Sequence, residues 1–181
     1  QTHYTMMLAS KALTVTHVST HVSMEQSIRN CKKERILEVI RLTWDALTRF
    51  QEHPVIAVAG LNPHAGENGA FGDQELTDIA PAVQAAREEG MDVVGPLPPD
   101  TVFLRAYRGE FGAVVCMYHD QGHIPMKLLD FEGGVNVSLG LKVVRTSVDH
   151  GTAYDIAYQG KAKTGSLVAA YDYAVKIQNR S

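Results

Sequence analysis

Two runs constrain this chain more than anything else in it: PVIAVAGL (54–61) and GAVVCMY (112–118) are short, continuously apolar and bounded by Pro, Gly or polar loops. A strand with one wet face alternates apolar and polar residues, whereas a strand covered on both faces does not. Both runs are therefore expected as interior strands with helices above and below. Around them the period changes. Ile28, Cys31, Ile36, Val39, Ile40, Leu47 and Phe50 recur at helical spacing through a charged region. One long helix or two consecutive helices are expected between Glu25 and Phe50, with Trp44 at a packing surface. Asp73 to Glu89 reads as a further helix, with Asp73 as cap, Ile79 and Val83 on one face and Gly90 as the stop. Tyr4 to Leu8 and Leu13 to Val18 read as strands joined by ASKA. MDVVGPLPPDT reads as a strand entering a Pro-rich turn, and VNVSLGLKVVRTSVDHG as two strands. A closing helix is expected from about Ser166 to Ile177. Strands alternating with helices imply an α/β fold with a largely parallel or mixed sheet. In such sheets ligands sit beyond the carboxyl ends of the strands. No internal repeat or interdomain linker is visible.

Charge and composition remove several classes of function. The 17 basic and 20 acidic residues are interspersed, so there is no basic stripe for a nucleic acid backbone. An apolar fraction of 45% with 20% charged residues is that of a folding chain. No run approaches the roughly 18 apolar residues that span a bilayer, and QTHYTMMLAS lacks the features of a signal peptide. A cytoplasmic location is expected. Cys31 and Cys116, far apart in sequence, are expected as small buried side chains rather than a disulfide framework. The chain starts without Met and enters a strand at once, so residues are expected upstream.

Three apolar runs lead to a histidine: TVTHVSTH reaches His21, AVAGLNPH reaches His64 and VVCMYH reaches His119. A lone histidine at a strand end usually bonds backbone. Three that a fold could gather at one sheet edge suit a catalytic divalent ion, since three imidazoles leave a coordination position open. His17 shares its side of a strand with His21, but His21 sits at the exit and is preferred. His123 reads as a surface or supporting residue. The loop GLNPHAGENGAFG lacks both the phosphate-loop lysine and the dinucleotide fingerprint. Its glycines permit a tight turn or a close backbone approach. Lys127 and Arg145 are cations able to meet a phosphate or carboxylate. Asp100 and Asp120 can orient imidazoles or move protons. SVDHGTAYDIAYQGKA (147–162) reads as a loop feeding a helix start, a place where an anion or nucleotide can be held.

Five ordered motifs, GLNPHAGENGAFG, GPLPPDTVF, MYHDQGHIPMK, GVNVSLGL and RTSVDHGTAYDIA, together resemble the 4-hydroxythreonine-4-phosphate dehydrogenase family of pyridoxal phosphate biosynthesis. The resemblance runs from MMLAS to the C-terminus. It implies an isocitrate and isopropylmalate dehydrogenase-like α/β fold with mixed sheets flanked by helices. Residues 1–181 would be the C-terminal portion of a two-domain dehydrogenase with its N-terminal part missing. It further implies that His21, His64 and His119 bind one divalent metal (zinc, magnesium, cobalt or manganese) shared between two subunits of a homodimer. Lys127, Asn136 and Arg145 match substrate-binding positions, and Lys127, Asp100 and Asp120 are the candidates for catalysis. By analogy with the wider fold, His150, Gly151, Thr152, Ala153 and Asp155 would hold the adenosine of NAD.

The implied reaction is NAD-dependent oxidation of 4-phosphooxy-L-threonine followed by decarboxylation to 3-amino-2-oxopropyl phosphate. HVSTHVS and QGHIP look more like a second branch acting on D-threonate or D-erythronate 4-phosphate. The family's chains are nearly twice as long, and the N-terminal portion, with a His-Thr pair that contacts substrate, has no counterpart here. Tyr158 stands where the related loops carry Gly. Two other readings use the same residues: a metal- and phosphate-binding remnant without turnover, and a metal-assisted hydrolase.

Overall fold

The computed structural model describes residues 3–131, 133–149 and 151–178. The apolar runs are strands, and the helical periodicities are helices. β1 (Thr5–Ala9) and β2 (Thr14–His17) form a hairpin. α1 (Met24–Asn30) and α2 (Lys33–Leu47) follow as two consecutive helices, the first capped by the Ser23 side chain. β3 (Ile56–Ala59) leads through a turn at Pro63–Gly69 to a wide helical turn at Glu75–Ile79. That turn runs on into α3 (Ala80–Glu88). The Asp73 carbonyl accepts from Leu76 and Thr77 N–H at the start of that turn, but the capping position is Gln74 and no side chain caps the turn. Then come β4 (Val93–Leu97), α4 (Val102–Tyr107), β5 (Ala113–Cys116) and α5 (His119–Leu129). The order closes with β6 (Val135–Leu139), β7 (Arg145–Val148) and α6 (Gly165–Gln178). The short helix α4 has no counterpart in the sequence reading.

All seven strands form one mixed sheet in the order β4-β3-β5-β2-β1-β6-β7. β4, β3, β5 and β2 are mutually parallel, while β1, β6 and β7 join by antiparallel pairs. One face of the parallel part packs against α2 and α3 through Ile36, Ile40, Ile79 and Val83. The opposite face packs against α4 and α5 through Val102, Ala106 and Met126. Ile36 and Ile40 are fully buried, and burial of such side chains contributes about 1.5–3 kcal/mol each. β3 and β5 are buried along their whole length, which is why they show no alternation. On the β6 side the alternation returns: Val135, Val137 and Leu139 pack with Ala170 and Ile177 of α6, while Asn136 and Ser138 turn to the other face. Among the described residues, no helix is long and apolar enough to cross a membrane.

Candidate functional site

Because β3, β5 and β2 are parallel neighbours, their carboxyl ends share one edge of the sheet. His64, His119 and His21 follow those ends, as expected. Four imidazoles collect where β2 and β5 end. The rings of His21 and His119 are 5.4 Å apart, and His119 stacks on His123 at 3.6 Å with an 11° tilt. His17 lies 4.8 Å from His123 and 6.4 Å from His119. The His119–His123 stack follows from α5 itself, since residues four apart share a helical face. His119 Nδ1 meets the Asp120 carboxylate at 2.7 Å, which leaves Nε2 as the lone-pair nitrogen when the ring is neutral. His123 Nδ1 donates to the His119 carbonyl at 2.9 Å.

His17, set aside in favour of His21, is fully buried on β2. Its Nδ1 lies 3.3 Å from the Met6 carbonyl. Its Nε2 has no hydrogen-bond partner, although the His119 carbonyl is near. Burial and the neighbouring His123 push its pKa down to about 3. Burial likewise lowers the pKa of His123 and raises that of Tyr118. Cys31 and Cys116 are buried as expected; burial pushes the Cys31 thiol up to about 12 and the Cys116 thiol higher still.

His64 stands apart from this cluster, its ring 6.2 Å from that of Phe71. Among the described residues, no three His, Cys, Asp or Glu side chains are grouped to hold an ion within one chain. His64 lies in a left-handed turn in which five consecutive residues, His64 to Asn68, have positive φ. Four of these are not glycine, and such residues adopt this conformation only under local compulsion. Glu75, which the sequence reading did not single out, supplies it. Its buried carboxylate accepts from Leu61 and Asn62 N–H, both at 2.7 Å, and from Asn62 Nδ2 at 2.9 Å. Gly66 leaves room for that carboxylate, since a Cβ there would sit 2.7 Å from Glu75 Oε2. Glu75→Gln keeps one acceptor oxygen but turns an amide N–H₂ toward Asn62 Nδ2. It is expected to cost about 1–2 kcal/mol in urea unfolding. An unchanged unfolding midpoint would refute the clamp.

The polar residues expected to meet substrate lie on the α5 face of the sheet. Asn136 is the register partner of Leu8, which packs with Val15 and Met126 on that face. Asn136 Nδ2 contacts Met6 Sδ, and Oδ1 is buried without a partner. Arg145, exposed at the start of β7, donates to Ser138 Oγ at 2.9 Å. Lys127 is exposed on α5, its Nζ 6.0 Å from the centre of the Phe131 ring. Asp120 is exposed beside His119. Asp100 is exposed in the turn between β4 and α4, and no hydrogen bond or ion pair among the described residues joins it to the imidazoles. Gly151, Thr152, Ala153 and Asp155 form an exposed loop, with Ala153 left-handed before a short turn at Tyr154–Ile156. His150 lies outside the described residues.

Comparison with known proteins shows the family. The family described as pyridoxal phosphate biosynthetic protein PdxA matches residues 1–174. The chain belongs to the PdxA family. A relative from Geobacter metallireducens, 4-hydroxythreonine-4-phosphate dehydrogenase, is 57% identical over 173 residues, covering 95% of this chain and 51% of that protein. D-threonate 4-phosphate dehydrogenase of Pectobacterium atrosepticum is 50% identical over 175 residues, covering 96% and 54%. A crystal structure of 4-hydroxythreonine-4-phosphate dehydrogenase from Klebsiella pneumoniae superposes with a TM-score of 0.87 at 50% identity, covering 97% of this chain and 54% of that one. The chain thus spans about half the length of the PdxA-family relatives it matches. The mixed α/β architecture expected from the motifs is the one found.

Proposed function

We propose that this chain forms the metal- and substrate-binding wall of an NAD- and divalent-metal-dependent dehydrogenase acting on 4-phosphooxy-L-threonine. The observation that carries the reading is the edge cluster. Two imidazoles, His21 and His119, stand 5.4 Å apart at the carboxyl ends of parallel strands, and a carboxylate fixes the second. The donor set fits a divalent ion, and the separation of His64 fits a homodimer in which the partner subunit's His64 completes it. Ile124, Leu128 and Phe131, exposed along and just beyond α5, offer an apolar contact surface that supports self-association.

An ion held by these imidazoles would supply Lewis acidity, and a bound NAD would supply the hydride acceptor. The residues of the chain do the rest. Lys127, Asp120 or Asp100 takes the carbinol proton. Arg145 and Lys127 offset the negative charge of phosphate and carboxylate, which fixes the substrate's orientation. Asn136 Oδ1, buried and unpartnered, accepts an N–H or O–H of the substrate. The exposed loop from Gly151 to Asp155 would hold the adenosine of a bound NAD. The β-keto acid then loses carbon dioxide, and the enolate left behind takes a proton at the former α-carbon from the same acid–base group to give 3-amino-2-oxopropyl phosphate.

A second substrate reading, D-threonate or D-erythronate 4-phosphate, is supported by the relative of that name and by the HVSTHVS and QGHIP motifs. The test is to load the protein with divalent metal, add NAD and each phosphorylated acid, and follow NADH and carbon dioxide. Both are expected to form from one of the acids. Product without any NAD requirement would mean hydrolysis instead. A folded, metal-loaded protein that turns over neither acid would reduce the reading to a ligand-binding remnant.

A further inference from the structure

The carboxyl ends of β3 and β5 are neighbours, but the chain leaves them in different directions. One continues into the left-handed turn that bears His64, the other into α5, which begins at His119. Diverging strands leave backbone groups without ladder partners, and buried groups of that kind must be paired. Here a side chain pairs them. Gln121 is buried, its Nε2 donates to the Gly60 carbonyl and its Oε1 accepts from Met117 N–H, each at 2.7 Å. The amide adds one rung beyond the last paired residues, built from a side chain. It must donate on one side and accept on the other, which a carboxylate cannot do, and asparagine is one methylene shorter. Glu75 holds the next two N–H groups, those of Leu61 and Asn62, so the approach to His64 is fixed from two directions.

We propose that Gln121 is a positioning residue that sets the relative placement of the His64 and His119 loops and thereby, in a dimer whose sites take His119 from one subunit and His64 from the other, the geometry of both metal sites. The inference rests on the metal reading above. In a homodimer in which each chain serves two ions, this rung also fixes the spacing between them. Preorganisation of this kind is worth a measurable share of metal affinity, since partners behind the ligands commonly contribute tenfold or more.

Titration with Co(II), followed by visible absorption on the purified protein, tests it. Gln121→Met keeps the volume and loses both hydrogen bonds. It is expected to weaken Co(II) binding by about 10–100-fold and to alter the absorption bands of the bound ion. Gln121→Glu keeps the acceptor for Met117 but loses the donor to Gly60, and is expected to weaken binding in the same direction. It serves as the probe if the Met variant does not fold. Val83→Ala, in the α2–α3 layer, controls for general loosening and is expected to stay within about threefold. Binding by the folded Gln121 variants within threefold of the parent, with an unchanged spectrum, would overturn the inference. So would equal weakening by Val83→Ala. His119→Ala separates the two levels: if it binds Co(II) like the parent, the metal reading itself fails.

Discussion

His119→Ala is expected to reduce divalent-metal affinity by more than about 100-fold, because removing a ligand should exceed the 10–100-fold effect of removing a group behind one. Equilibrium dialysis against zinc or cobalt measures it, with His21→Ala and His64→Ala in parallel. The three variants also decide how the ligands are shared. If the ion takes His21 and His119 from one subunit and His64 from the other, then His64→Ala and His119→Ala protomers complement each other. Each heterodimer carries one intact site made from the unmutated residues of both chains. Random mixing of these two-fold dimers therefore restores about a quarter of the sites. Complementation is not expected if all three ligands come from one chain, because every chain in the mixture then lacks a ligand. Unchanged metal content in both His64→Ala and His119→Ala would sink the triad. The separation of His64 from the imidazole cluster is the reason to expect complementation: within one chain, among the described residues, no three ligating side chains converge.

The parts of this fold legible in the sequence are those set by local rules. Continuous apolar runs declared β3 and β5 as strands covered on both faces, and helical periodicity declared α2 and α3. The placement of His21, His64 and His119 after parallel strands follows from the same reading, because parallel order brings strand exits to one edge. What the sequence did not disclose depends on partners far along the chain. The left-handed turn at His64 to Asn68 opposes the preference of every non-glycine residue in it, and the compensating contact, Glu75, lies 14 residues from Leu61. Glu75 itself reads as one more acidic residue at a helix start. His17 was legible as facing the same side as His21, yet its burial required knowing that β2 sits between β5 and β1 with α5 laid across it. Of the two expectations for His123, surface or supporting, burial removes the first; the stack on His119 follows from four-residue spacing once α5 is known to begin at His119. Gln121 had no local signal, since its two partners belong to different strands.

Stability of the metal-free protein is expected to fall as pH drops from about 6.5 toward 3, and His17 is the main cause. Its pKa is 6.5 when free and about 3 in the fold. Between those values the unfolded chain binds a proton that the folded chain refuses. More protons bound to the unfolded state means that stability rises with pH across this window and levels off above it. The stabilisation is therefore fully present above pH 6.5 and lost on acidification. At about 1.4 kcal/mol per pH unit, lowering the pH from 6.5 to 4.5 should cost about 2 kcal/mol from His17 alone. His123, whose pKa is also lowered by burial, acts with the same sign. Urea unfolding at pH steps from 7.5 to 4.5 measures the slope, and His17→Leu should reduce it by about one proton. Between pH 7.5 and 4.5 the carboxylates whose pKa is lowered in the fold add little to this slope. Glu89 and Glu110 are held below their ordinary 4.5 by hydrogen bonds from Arg41 and Arg105, so their contributions are lost only at more acidic pH. An unchanged slope in His17→Leu would mean that the buried imidazole is protonated in the fold at no cost. That cannot be squared with a fully buried ring whose nearest ionisable neighbours are other imidazoles.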